Sequence, residues 1–83
     1  MDTRDIESEL LGFLSREVFA PEVNLAPETD LVSSGFDSMS LVRVLLFIET
    51  KYGFWIPESE ITSETLRDAR SLAGTVARLL DES

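Results

Sequence analysis

Residues 38–52 read SMSLVRVLLFIETKY, a run free of Gly and Pro and too dense in apolar residues for a simple surface helix. Its length argues for a helix over a strand, despite several β-branched residues. At about 100° per residue, Leu41, Leu45, Ile48 and Tyr52 fall on one side, flanked by Val42 and Leu46. The opposite side collects Ser40, Arg43, Val44, Phe47 and Lys51, with Met39 and Thr50 at its border. That second face mixes charge with large apolar groups and is the expected contact surface.

Downstream, Gly53 suits the end of this helix, and Pro57 of the FWIPES segment opens a short helical turn through Ile61. Ser71 is placed to cap a last helix bearing Leu72, Val76, Leu79 and Leu80, with Arg78 near the negative end of its dipole. Upstream, residues 21–37, PEVNLAPETDLVSSGFD, form a loop with two prolines and a glycine, in which Leu25, Leu31 and Val32 are spaced to pin it to a core. A loop this long in a small domain usually has a function. Before it, Ile6, Leu10, Phe13, Leu14 and Val18 recur at helical spacing, with Asp2 or Thr3 as cap and Asp5 and Glu7 in the first turn. This first helix ends near Pro21. Three main helices and one short one result, an all-α bundle expected to occupy residues 1–83 as one domain.

The chain has no cysteine and no histidine, which removes disulfides, thiolate metal sites, the usual general base and the commonest zinc ligand. Self-contained hydrolytic or metal chemistry is not expected, and neither is calcium binding, because the acids are dispersed and no D-x-D-x-D-G loop is present. Sixteen acidic against seven basic residues give a formal charge of −9, which keeps the domain soluble, repels nucleic acid and anionic lipid, and favours partners with basic patches. Residues 38–57 stand apart, with Arg43 and Lys51 against the single acid Glu49. With no basic leader followed by an apolar run and no window of membrane-spanning length, a cytoplasmic monomer is expected.

At the junction of loop and dense helix stands Gly35-Phe36-Asp37-Ser38-Met39. The ordered set of a first helix, a long loop ending in LVSSGFDSM, a dense helix ending in an aromatic residue and glycine, an IP turn, a short helix and a last helix resembles the acyl and peptidyl carrier proteins. The bottom-up reading of the same residues is compatible. A serine opening a helix presents its hydroxyl beside unpaired backbone N–H groups, where a phosphodiester meets a favourable dipole. Gly35 permits a tight approach of the loop, and Asp37 caps the helix or helps a transferase hold a metal-bound nucleotide. Read as a dipeptide alone, Asp-Ser before an apolar run is simply a helix cap.

The resemblance implies a covalent 4′-phosphopantetheine arm, transferred from coenzyme A onto Ser38 by a phosphopantetheinyl transferase, with Asp37 supporting the site. It also implies a substrate shuttle with no catalytic residues of its own. Its partners would be a loading ligase or acyltransferase, followed by condensing or tailoring enzymes. Fatty-acid carriers typically have a strongly acidic second helix, whereas here Ser40, Arg43, Thr50 and Lys51 lie beside Val44 and Phe47. That composition looks like carriers of specialised metabolism, of the polyketide or nonribosomal peptide kind, with an aminoacyl or D-alanyl carrier as the alternative. Met39, Ser40, Arg43, Val44 and Phe47 are the expected partner surface. A reading from another class is an unmodified acidic helical adaptor, indifferent to Ser38.

Overall fold

The computed structural model describes residues 2–82. Helix α1 spans Thr3–Phe13, opened by Asp2, whose carboxylate accepts the Arg4 N–H at 3.0 Å. The chain then widens into one π-helical turn over Leu14–Val18, closed by the Phe19 N–H on the Leu14 carbonyl at 2.9 Å. The helical course therefore reaches nearly to Pro21, as the spacing predicts. Ile6, Leu10 and Leu14, three residues four apart, are fully buried, so the wider turn begins at the last residue of this core stripe.

The long loop is fixed at two points. The buried Leu31 donates its N–H to the Arg67 carbonyl at 2.9 Å, and the Arg70 N–H donates to the Pro27 carbonyl at 3.0 Å. Leu25 is half-buried as expected, but Val32 is 66% exposed and pins nothing. The loop's backbone groups near Leu31 turn on themselves, and only one side chain there enters the core.

Helix α2 spans Ser38–Tyr52 and ends at Gly53, whose φ of +82° is the left-handed conformation that glycine adopts without a Cβ penalty. Its buried surface is one arc, broader than expected and shifted toward Ser40 and Val44. Leu45 and Ile48 are buried on the expected face, but Val44 is fully buried and Ser40 only 8% exposed. Beyond Gly53 the buried Ile56 leads into a single 3₁₀ turn at Glu58–Glu60, the expected short element.

Helix α3 spans Ala69–Glu82 and packs along α1. It starts ahead of the expected cap: Asp68 accepts the Ser71 N–H at 2.8 Å, so Ser71 lies inside the first turn and Asp68 caps it. Burial pushes the Asp68 carboxyl up, but the Ser71 and Arg67 hydrogen bonds outweigh it and hold it below the usual carboxylate value. Leu72, Ala73 and Val76 complete a core shared with Ile6, Leu10, Leu31, Val44 and Ile48. Each larger aliphatic side chain so buried contributes about 1.5–3 kcal/mol.

The end of α2 is joined to α1 through Glu9, which accepts a hydrogen bond from the Tyr52 hydroxyl and lies 3.3 Å from Lys51 Nζ. Burial and the Glu9 carboxylate both push the Tyr52 hydroxyl above its ordinary value. Among the described residues there is no strand, and no helix is long and apolar enough to cross a membrane.

Candidate site at the start of helix α2

The loop arrives at α2 through a turn in which the Gly35 N–H donates to the Val32 carbonyl at 3.1 Å and the Phe36 N–H to the Leu31 carbonyl at 3.0 Å. Gly35 has φ of +111°, yet an added Cβ would meet nothing within 4 Å. The glycine is thus required by its backbone conformation and not by a tight approach. Phe36 lies with its ring centroid 6.3 Å from that of Phe19, which seats the turn against the end of the first helical run.

Asp37 is the N-cap of α2. Its Oδ1 accepts both the backbone N–H and the hydroxyl of Ser40, each at 2.9 Å, and these two bonds hold its carboxyl below the usual value. Ser38 is the first residue of the helix and is exposed. Asp37 bonds past it to Ser40, so the cap secures the turn while none of the hydrogen bonds of the described residues engages the Ser38 hydroxyl. This hydroxyl stands at the positive end of a fifteen-residue helix, a position suited to a phosphodiester. The residues present therefore fit a covalent phosphate-linked arm: a free primary alcohol, a fixed backbone and an adjacent carboxylate committed to the cap.

Along α2 the structure redistributes the expected contact surface. Met39 is 65% exposed, Val42 46% and Leu46 50%, forming a stripe that begins beside Ser38. Arg43 is exposed next to it and donates from Nη1 to the Glu17 carbonyl at 2.7 Å. Ser40 and Val44 are corrected: both turn inward, Ser40 to serve the Asp37 cap and Val44 into the core, and neither belongs to the surface. Phe47 is half-buried, stacked on Phe13 at 4.3 Å between centroids and 16° between planes, with Tyr52 edge-on at 6.4 Å. A groove of about 340 Å³ runs between the two helical runs, lined by Phe13, Glu17, Arg43, Leu46, Phe47 and Thr50. Val42 and Leu46, flanking residues by helical spacing, thus belong to the exposed stripe. Of the two aromatic residues after α2, Phe54 packs against the core and Trp55 is 52% exposed.

The family described as phosphopantetheine attachment site matches residues 8–80. Aminoacyl carrier protein 1 of Bradyrhizobium diazoefficiens is 36% identical over 61 residues, 74% of this chain and 66% of that protein. Aminoacyl carrier protein 2 of the same organism is 32% identical over 53 residues, 64% of this chain and 60% of that protein. The chain thus spans slightly less than two thirds of the length of these curated relatives. Two solved structures contain a chain of the same fold at 30% identity, each covering 96% of the matched chain. One is of Bradyrhizobium japonicum glycine:[carrier protein] ligase complexed with glycylated carrier protein, with a TM-score of 0.67 over 88% of this chain. The other is of that ligase complexed with its cognate carrier protein and an analogue of glycyl adenylate, with a TM-score of 0.70 over 92% of this chain.

The fold and the motif define a carrier domain, and the chain belongs to the phosphopantetheine attachment site family, whose members bear 4′-phosphopantetheine covalently. It is a carrier protein and not an enzyme. The curated relatives it matches are both named aminoacyl carrier proteins.

Proposed function

We propose that this protein is an aminoacyl carrier, modified with phosphopantetheine on Ser38 and loaded with an amino acid by a separate ATP-dependent ligase. The observation that carries the assignment is the exposed Ser38 hydroxyl at the first position of α2, left unbonded by the Asp37–Ser40 cap. When bound, the arm supplies the thiol on which cargo rides as a thioester, which this cysteine-free chain lacks. The chain's own contribution is to hold the attachment point. Asp37 fixes the first turn, Gly35 sets the entry of the loop, and the exposed start of α2 leaves Ser38 open to a phosphopantetheinyl transferase.

Relatives named as aminoacyl carriers support this reading over a polyketide or nonribosomal peptide carrier, the reading that the composition of α2 first favours. A tethered amino acid is delivered at high effective concentration to whichever enzyme docks.

The test is to load the arm-bearing protein with ATP and each of several amino acids, using the Bradyrhizobium japonicum glycine:[carrier protein] ligase and a panel of amino-acid adenylating enzymes. The expected result is a mass gain of one amino acid residue, removed by hydroxylamine. Loading by fatty-acyl or malonyl transferases alone would contradict the aminoacyl assignment.

A further inference from the structure

The groove between the first helical run and α2 carries both signs of charge without pairing them. Glu17 and Arg43 line it together with Phe13, Leu46, Phe47 and Thr50. Arg43 gives Nη1 to the Glu17 backbone carbonyl at 2.7 Å, and among the described residues its guanidinium has no carboxylate partner and the Glu17 carboxylate has no cation. Elsewhere the cations are engaged: Lys51, Arg67, Arg70 and Arg78 each pair with a carboxylate. The bond to the Glu17 carbonyl orients the planar guanidinium and leaves its other donors open, so less side-chain freedom is lost when an acceptor arrives. The apolar part of the lining is Leu46 and the stacked Phe13–Phe47 pair. A free anion, an oriented donor and an apolar surface thus share one groove. An aminoacyl thioester presents the matching groups, an α-ammonium, a carbonyl oxygen and a side chain, and has no free α-carboxylate.

We infer that this groove holds the aminoacyl group of the loaded arm, the α-ammonium on the Glu17 carboxylate, the thioester carbonyl accepting from Arg43, and the amino-acid side chain against Leu46 and Phe47. The inference rests on the aminoacyl carrier reading and gives the chain itself a part in recognising its class of cargo. A fatty acyl group lacks the cation that Glu17 attracts, and a malonyl group brings an anion that Glu17 repels. The groove is within reach of Ser38. Arg43 and Leu46 lie about 7 and 12 Å further along the helix axis, whereas an arm with the bond count of about four residues of extended chain spans roughly 15 Å. Met39, 65% exposed, falls on the same side of α2 as Arg43 and Leu46 and offers an apolar surface on the way. Tethering supplies the cargo at about millimolar effective concentration, so a contact too weak to hold a free amino acid is populated. Pairing with Glu17 also favours the protonated form of the α-amine, which is not nucleophilic.

The contact is tested with two coenzyme A analogues in which an amide replaces the thioester, one carrying leucine and the other 4-methylpentanoate, which differs only in lacking the α-amine. A broad-specificity phosphopantetheinyl transferase places each on the ¹⁵N-labelled protein, and amide signals are compared with those of the protein bearing the bare arm. The leucyl arm is expected to shift Phe13, Glu17, Arg43, Leu46 and Phe47, by about threefold more than the 4-methylpentanoyl arm at low salt, the scale of an exposed ion pair. Glu17→Gln should abolish that difference. Glu49→Gln, which removes an exposed acid of α2 outside the groove, should retain it, with circular dichroism showing that both variants keep their helices. Equal shifts from the two arms, shifts confined to the residues around Ser38, or a difference that survives Glu17→Gln would overturn the proposal. Failure of the aminoacyl reading registers separately, in the loading test with amino-acid ligases, which makes no use of the groove.

Discussion

Asp37 and Ser40 hold each other through two hydrogen bonds to one carboxylate oxygen, both at 2.9 Å, and between them stand Ser38 and Met39. This arrangement secures the start of α2 without using the hydroxyl that the proposed chemistry requires. Asp37→Ala removes both bonds and should lower the melting temperature by roughly 4–8 °C, as loss of a helix cap does in a small domain. It should also slow modification of Ser38, whereas Asp37→Asn, which can still accept from Ser40, should retain most of the stability. Thermal melts and initial rates of arm transfer check both.

Asp37 and Asp68 both cap helices and both have carboxyls held below their usual values, Asp37 by Ser40 and Asp68 by Ser71 and Arg67 against the cost of burial. A group with a depressed folded-state pKa binds protons more readily when unfolded. Its contribution is complete above the unfolded pKa and is lost as pH falls through the folded one. Urea unfolding should therefore show a plateau near neutrality and a decline below the ordinary carboxylate range. In Asp37→Asn/Asp68→Asn, that decline should be shallower.

Phe13 and Phe47 stack at 4.3 Å and join the first helical run to α2. Replacing each with leucine, singly and together, should give a coupling energy of about 0.5–1.5 kcal/mol in a double-mutant cycle of unfolding free energies. A coupling near zero would mean that each ring acts only through the area it buries.

Gly35 sits at φ +111° with open space where a Cβ would stand. Gly35→Ala should destabilise by about 1–2 kcal/mol through backbone conformation alone. Leu31→Ala, which empties a fully buried site in the same loop, should cost about 2–5 kcal/mol. Chemical unfolding of the two variants separates backbone strain from cavity formation.

The extent of α2 was legible because a long run without Gly or Pro ended at a glycine. The start of α2 at Ser38 was legible because a turn-rich loop met that run. The phase of α2 was harder to read. A helix with apolar residues on most of its surface gives no single inward direction, and the buried arc of α2 extends from Leu45 and Ile48 round to Val44 and Ser40, which leaves Val42 and Leu46 partly exposed on the other side. The π-helical turn at Leu14–Val18 had no signal, since neither glycine nor proline marks it. The start of α3 was misplaced because Asp68 and Ser71 are both good caps, and only the packing of buried Asp68 and Ala69 decides between them.

The most direct measurement of the central claim is the intact mass of the protein and of Ser38→Ala after incubation with coenzyme A, magnesium and a broad-specificity phosphopantetheinyl transferase. The account predicts a gain of one phosphopantetheine arm in the parent and none in the variant, with both folded by circular dichroism. An arm on Ser38→Ala would contradict the assignment of Ser38, as would a parent that gains none while a control carrier is modified in the same tube.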